Sequence, residues 1–560
     1  MEPELSPTAE KIFKLKYSRE GKEDWEGTAS RVALYVAQAE PEEKRLLYTA
    51  EFCRMIYEKS FLPGGRTLAN AGTGIRNLMN CFVLPVEDSR NGIYDTLRKT
   101  AEIFAWGGGC GFNFSHLRGE GQLVKTTGGE ASGPLSFMSL YDQTGEVISQ
   151  ASRRGAQMGI LNVEHPDVVK FINFKNKLNS RNTRLLEEYK RNLERKGLDI
   201  DGEPYFHVLA KTLADDQLTH FNVSVGLSDA FMEQLSSDSL WDKTHTPDQI
   251  MRIIATNAWL SGDPGIFFID RANADNMVPY LGRLEATNPC GEVPLLPYEA
   301  CCLGSLNLSN FNEKDIFDWR YLAQVVHLAV RFLDDVQELN ETPVEKINAA
   351  TKATRRLGIG VMGLADLLSE RGLAYDSQEA RDFCDTLAWF IGKEAWLASM
   401  ELAEEKGPFP AFNSDLVNWA LIDKFNLERR PVRNVAITSI APTGTIALIA
   451  DVNSGIEPYF AHHYSRNLTE GVGNTATETI EQPKISDTIK TAHEISWEDH
   501  IKMQEVWQRW TDNAVSKTIN MNNNASIDDI INAYSLAWRS GLKGITVYRD
   551  GSKLFQILNK

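Results

Sequence analysis

The feature that most constrains this chain is the stretch Asn288-Pro289-Cys290-Gly291-Glu292, followed nine residues on by the pair Cys301-Cys302. Proline rings at 289, 294 and 297 fix φ and remove N–H donors, so the loop is stiff. In extended backbone, residues i and i+2 point to the same side, which would turn Asn288, Cys290 and Glu292 toward one small pocket. The plainer alternative is a proline-rich surface loop with a buried, inert cysteine, and an isolated Asn-x-Cys-x-Glu match favours that alternative. The balance is tipped by other stretches that fit the same chemistry.

Composition narrows the field. A chain of 560 residues is too long for one ordinary small domain and suits one large α/β domain with appendages. Apolar content of 42% with 24% charged residues is that of a globular protein able to bury a sizeable core. No apolar run approaches a membrane span. Met1-Glu2-Pro3-Glu4-Leu5 lacks the basic start and apolar core of a signal peptide, so a cytoplasmic location and no membrane partner are expected. A net charge of −17 argues against nucleic acid as a partner, because phosphate backbones select basic patches. The seven cysteines (Cys53, Cys81, Cys110, Cys290, Cys301, Cys302, Cys384) are odd in number and spread out, unlike a secreted disulfide framework. No Cys-x-x-Cys or His-x-x-x-His spacing points to a metal, which leaves chemistry on individual thiols.

Along the chain, residues 1–60 read as a helical N-terminal region and 61–560 as the main body, with no clear linker between independent domains. Pro63-Gly64-Gly65 breaks the helical rhythm, and Met79 to Leu84 is strand-like. Trp106-Gly107-Gly108-Gly109-Cys110-Gly111 carries four glycines within five residues, which lets the backbone approach either a ligand or a packed strand. It is neither a Walker A loop nor a dinucleotide fingerprint. A helix is expected over 136–150, and Ser152 to Gly159 reads as a polar loop with two arginines. Residues 176–205 read as a charged helical projection, since they present no apolar face. Strands are expected at 221–225 and 265–270, and long helices at 319–338 and 377–405. Ile437 to Ala441 reads as an apolar strand that runs into Pro442-Thr443-Gly444-Thr445, where hydroxyls and amides meet a helix start; that is a recipe for an anion cradle. Gly544 to Gly551 is a last strand and turn.

Taken in order from about Phe61 to Gly551, these stretches resemble the ribonucleotide reductase catalytic subunit, and more narrowly its adenosylcobalamin-dependent class II branch. The resemblance is carried by Asn80-Cys81, the glycines at 107–111, Asn222-Val223-Ser224-Val225, the block 288–308, the glycines at 356–363, Pro442-Thr443-Gly444-Thr445 and Gly544–Gly551. It implies a ten-stranded α/β barrel of two antiparallel five-stranded halves, with 288–292 as a finger loop inside.

By the same resemblance, Cys290 matches the thiyl-radical position and Glu292 the carboxylate that takes the 3′-hydroxyl proton. Asn288 matches the amide that binds the sugar. Cys81 and Cys301 match the pair that ends as a disulfide, with Cys302 standing where the family has an asparagine. Adjacent strand residues face opposite sides, so only one of Cys301 and Cys302 can meet Cys81, and the register of Tyr298-Glu299-Ala300-Cys301 selects Cys301. Substrate phosphates and sugar are implied at Thr67, Asn80, Gly108, Gly109, Pro442, Thr443, Gly444 and Thr445. A deoxynucleotide effector is implied at Asp88, Arg153, Arg154 and Gln157, at a homodimer interface.

Adenosylcobalamin is implied as cofactor, and a thioredoxin-like protein or small dithiol as reductant. Thr546-Val547-Tyr548-Arg549 offers one tyrosine where the class I large subunit has two. That difference favours class II; a class I large subunit with an external radical-generating partner is the first alternative, and a catalytically inactive nucleotide-binding relative the second. The family's C-terminal cysteine pair has no match after Cys384, so multiple turnover is expected to need an added dithiol. No ATP-cone signature is evident before Phe61, so no overall-activity switch by ATP and dATP is expected.

Overall fold

The computed structural model describes residues 5–125, 128–150, 153–175, 218, 220–313, 316–462, 465–469, 477–481, 489–552 and 558–559, with scattered positions between 185 and 196. The projection expected over 176–205 lies, but for those positions, outside the described residues. The N-terminal region is helical, as its apolar rhythm predicts: α1 (Pro7–Lys16), α2 (Trp25–Val36) and α3 (Glu42–Tyr57). Ser6 and Asp24 start the first two by accepting from the amides of Ala9 and Gly27, which satisfies donors that a helix start leaves open. Phe13 meets Trp25 edge to face, and Phe52 meets Phe332 in the same way, so these helices are packed into the main core.

The body is built on ten named strands: β1 (Phe61–Pro63), β2 (Cys81–Val83), β3 (Gly109–Asn113), β4 (Gln157–Asn162), β5 (Phe221–Leu227), β6 (Gly265–Phe268), β7 (Ala300–Asn307), β8 (Leu357–Met362), β9 (Thr518–Met521) and β10 (Gly544–Arg549). Strands β2, β3, β4, β5 and β6 pair in that order, all parallel. In the second half β7 pairs parallel with β8, and β9 with β10. The segment 437–440 joins these two pairs: Ile359 donates to Ile437 O at 2.7 Å, and Ser516 donates to Ile440 O at 2.9 Å. The halves meet antiparallel at β6–β10 and at β2–β7, which closes the ring. β1 adds to the outer end of β7. The expected barrel of two five-stranded halves is what forms.

Helices cover the outside, among them α4 (Arg90–Ala105), α5 (Gly133–Val147), α6 (Pro247–Ser261), α7 (Trp319–Leu339), α8 (Gln378–Lys406), α9 (Trp497–Trp510) and α10 (Ile527–Arg539). Strands buried on both faces read as continuous apolar runs, and β7 and β8 are buried along their whole length. Their alternation serves two cores. Cys301 and Leu303 join Cys81, Val83, Met158, Ile160 and Phe267 inside the barrel, whereas Cys302 and Leu306 pack outward with the helices. One expected strand end differs. Ile269 and Asp270 open a short helix (Ile269–Ala274), where an acidic side chain in the first turn is favourable.

The glycine run belongs mainly to the packing. A β-carbon on Gly111 would stand 1.7 Å from Thr287 O, and one on Gly109 would stand 2.9 Å from Pro289 Cγ. These glycines make β3 thin enough for the finger to lie across it. Gly111→Ala is therefore expected to cost about 2–4 kcal/mol and to dislodge the finger. Urea unfolding measures this, and a loss below about 0.5 kcal/mol would contradict the fit.

Candidate active site

The finger is a hairpin between two short strands, Ala286–Thr287 and Pro294–Leu295. Its tip is a tight turn rather than extended backbone. Gly291 N donates to Asn288 O at 3.0 Å, and Gly291 has φ +83°. Asn first, Pro second and Gly fourth are the residues such a turn favours, and the alternation expected for 288–292 gives way to that preference. Asn288 Oδ1 spans the turn by accepting from Val293 N at 3.0 Å. The turn still gathers the three groups, by a different route. Asn288 and Glu292 are each 2% exposed beneath the tip, and Cys290 stands at the tip, open to solvent.

Both barrel halves hold the tip. Asn222 Nδ2 on β5 donates to Pro289 O at 2.7 Å. From the other half, Ser439 Oγ and Ala514 N donate to Glu292 O at 2.9 and 2.8 Å. Asn222 lies in a stretch that carries the family resemblance, but the sequence signals its anchoring role only by an amide in a strand that is apolar but for Ser224.

Cys301 on β7 is the cross-strand partner of Cys81 on β2. Opposed Cβ atoms in such a pair lie about 4.5–5.5 Å apart, within a small adjustment of disulfide geometry. Asn288 Nδ2 donates to Cys81 Sγ at 3.1 Å, tying the finger to this pair. Cys302 turns the other way, with its thiol toward Leu333 O on α7 at 3.4 Å.

Electrostatics suit neutral thiols beside a titrating acid. Burial raises the Cys81 thiol well above its usual value, with the Glu292 carboxylate, Cys301 and Cys290 adding to the rise. The protein packed around the tip raises Cys290 as well although its surface is accessible, and Glu292 adds to the rise. Cys290 and Glu292 share the turn whose Asn288 is hydrogen-bonded to Cys81, which puts the groups in one cluster. Burial lifts Glu292 itself to about 7 against a partial offset from Asn288, and its Oε2 has no hydrogen-bond partner.

The remaining expected residues are placed as follows. Asn80 flanks Cys81, and its Oδ1 is buried without a partner. Thr67 donates to Leu78 O at 3.0 Å. Gly108 and Gly109 donate to Ile103 O and Asn80 O, both at 3.0 Å. Beyond Pro442, Thr443 has φ +54° and accepts from Gly455 N at 2.8 Å. Gly444 follows, and the hydroxyls of Thr445 and Tyr17 share a hydrogen bond that links α1 to this loop. Asp88 holds the Arg118 guanidinium at 2.8 Å. Gln157 lies in β4 rather than a loop, fully buried, and donates to Tyr141 O at 3.0 Å. Arg153 and Arg154 form a short strand paired with Ser149–Gln150.

A closed α/β barrel that threads a thiol and a carboxyl onto a cross-strand thiol pair defines a thiol-dependent redox enzyme. Residues 79–249 and 242–548 match the family described as "Ribonucleotide reductase, barrel domain", and residues 3–76 match "Ribonucleotide reductase, all-alpha domain". The chain is 38% identical over 572 residues to the vitamin B12-dependent ribonucleoside-diphosphate reductase of Mycobacterium tuberculosis (strain ATCC 25618 / H37Rv), covering 95% of this chain and 74% of that protein. It is 39% identical to the protein of the same name from Thermoplasma acidophilum, covering 91% of this chain and 66% of that one. A ribonucleoside-diphosphate reductase subunit alpha of Chlamydia pneumoniae is more distant, at 25% identity over 92% of this chain and 56% of that one. The chain belongs to the ribonucleotide reductase large-subunit family.

The raised Glu292 carboxyl has a consequence for stability. Unfolded, it titrates near its usual 4.5; folded, near 7. Between those values the unfolded chain gives up a proton that the folded one keeps, so this group's contribution falls as pH rises from about 4.5 to 7. Well above pH 7 the full cost is present, roughly 3–4 kcal/mol. Glu292→Gln removes it and is expected to raise stability at pH 8 by about 1–3 kcal/mol, with little change at pH 5. Thermal unfolding at the two pH values checks this, and an equal effect at both would refute it.

Proposed function

We propose that this chain reduces ribonucleoside diphosphates to 2′-deoxyribonucleotides by thiyl-radical chemistry, using adenosylcobalamin. The observation that carries the reading is the gathering of Asn288, Cys290 and Glu292 at one turn against the Cys81–Cys301 pair. Membership of the family and likeness to proteins named vitamin B12-dependent reductases agree with it. The site suits such a cofactor: of Cys81, Cys290 and Cys301 only Cys290 has an accessible surface, and it keeps its hydrogen because the protein packed around the tip and the Glu292 charge disfavour the thiolate. When bound, the cofactor supplies a radical able to take that hydrogen atom.

The chain's own groups do the rest. The Cys290 thiyl takes hydrogen from C3′ of the ribose. Glu292 accepts the 3′-hydroxyl proton, a task for which a carboxyl near pH 7 is well matched. The 2′-hydroxyl leaves as water, the thiols of Cys81 and Cys301 deliver the reducing hydrogen and electron, and a disulfide forms between them. Cys290 then returns hydrogen to C3′ and ends as it began. Asn288 orients the sugar.

The loop Pro442, Thr443, Gly444 and Thr445 receives the phosphates; the left-handed backbone at Thr443 supports that cradle. Asn80 offers a buried, unpaired oxygen. Thr67, Gly108 and Gly109 already donate within the fold and so lend shape there. A deoxynucleotide effector acts through Asp88, Arg153, Arg154 and Gln157 in a homodimer, a thioredoxin-like or small dithiol renews the disulfide, and the enzyme works in the cytoplasm. No helix among the described residues is long and apolar enough to cross a membrane.

An anaerobic assay with adenosylcobalamin, a nucleoside diphosphate and a small dithiol tests this. Deoxynucleotide is expected with no second protein. kcat/KM should rise with pH through about 7 as Glu292 ionises. Cys290→Ala should lose at least about a thousandfold, and Cys302→Ala should keep most activity. An absolute need for a second protein would favour the class I alternative.

A further inference from the structure

The inner face of the barrel carries a buried ion pair that the reaction above does not use. Arg356 and Glu299 are 4% and 1% exposed, with Nε and Oε2 3.1 Å apart. Glu299 Oε2 also accepts from Leu296 N at 2.8 Å, and Arg356 Nη1 donates to Asn513 Oδ1 at 3.0 Å. Arg356 Nη2 and Glu299 Oε1 are buried with no partner. A buried charge is costly, and one left short of partners calls for a reason beyond stability.

Its position supplies one. Cys302 is in register with Leu357, so extending that register by one residue sets Arg356 beside Cys301. A β-carbon on Gly358, two residues further along β8 and on the same face, would stand 3.4 Å from Cys301 Sγ, so the thiol leans toward this strand. Cys81 sits on the other side of the pair, held by Asn288 next to the solvent-open finger tip.

We infer that Arg356 is a positioning residue for renewal of the thiol pair, making Cys301 the sulfur that leaves when an outside thiol attacks the disulfide at Cys81. The inference rests on the reading of Cys81 and Cys301 as the redox pair. The step balances as follows. The outside thiolate bonds to Cys81 Sγ, the Cys81–Cys301 bond breaks, and its electron pair goes to Cys301 Sγ. The Arg356 charge holds that thiolate until it takes a proton from water. A second outside thiolate then attacks the outside sulfur of the mixed disulfide, frees Cys81 and carries away the oxidation. Leaving thiols that are better stabilised leave faster, which gives the arginine its effect. Burial, Cys302, Glu299 and Glu292 together hold the Cys301 thiol well above its usual value, and the Arg356 cation opposes that rise, in agreement with this geometry.

The test has two stages. Peptide mapping after one turnover without reductant should find a Cys81–Cys301 disulfide; its absence would sink the redox-pair reading itself. Wild-type protein oxidised with diamide is then treated briefly with 2-mercaptoethanol, quenched in acid and mapped. The adduct is expected on Cys81 in about tenfold excess over Cys301. In Arg356→Met/Glu299→Gln, which removes both charges together, reduction should slow about three- to tenfold near neutral pH, with the rate–pH profile moved upward and the preference for Cys81 reduced. Arg356→Lys should restore most of the wild-type rate. An adduct mainly on Cys301 in the wild-type protein overturns the inference. So does an unchanged profile in the double variant, or a Lys variant as slow as that one. The wild-type mapping decides the matter even if the double variant does not fold.

Discussion

Everything in this molecule turns on how closely one hairpin lies against one strand. Thr287 O occupies the space that a side chain on Gly111 would need, and Pro289 rests where Gly109 has none. Because the finger is clamped there, by Asn222 from one half and by Ser439 and Ala514 from the other, its tip cannot drift. Placement to within a fraction of an ångström is what radical and proton transfers between fixed groups require. The barrel supplies it by closure: each half is a parallel sheet, and the finger bridges them at the centre.

The same clamping concentrates cost at the site. A carboxyl with an unpaired oxygen, two thiols and an asparagine amide are removed from water together. The carboxyl responds by titrating near neutrality and the thiols of Cys81 and Cys301 by holding their protons. An acid poised near pH 7 can both take and return a proton, which is the property the proposed role of Glu292 calls for. Around this pocket the fold is stitched by buried ion pairs that cross between elements. Arg355 joins Asp334 at 2.8 Å, and Lys517 joins Glu457 at 2.6 Å. The helical N-terminal region is also coupled to the site, through Tyr17 and Thr445.

Much of this was legible in the chain. Long amphipathic helices such as α7 and α8 announce themselves by periodicity, and β5 by its apolar run. The two-residue repeat of a strand allows only one of Cys301 and Cys302 to meet Cys81, and the family resemblance picks Cys301, in agreement with the observed register. The finger tip departs from the extended backbone that proline stiffness suggests, because Asn-Pro-Cys-Gly has the residue preferences of a tight turn and that preference wins. The glycines at 108–111 were left open between ligand and packing, since a glycine records only that something comes close and never what.

By itself, then, the sequence determined the kinds of group available, the local elements that carry them, and that Cys301 and Cys302 fall on opposite sides of β7. These are properties of neighbours along the chain, fixed by sterics over a few residues. Only the tertiary structure decided that Cys81 lies opposite Cys301, that Glu292 is lifted toward neutrality, and that Arg356 stands beside Cys301. Those facts depend on burial and on contacts between segments tens to hundreds of residues apart. No local pattern encodes them, because the field at an atom is set by whatever the closed barrel packs around it.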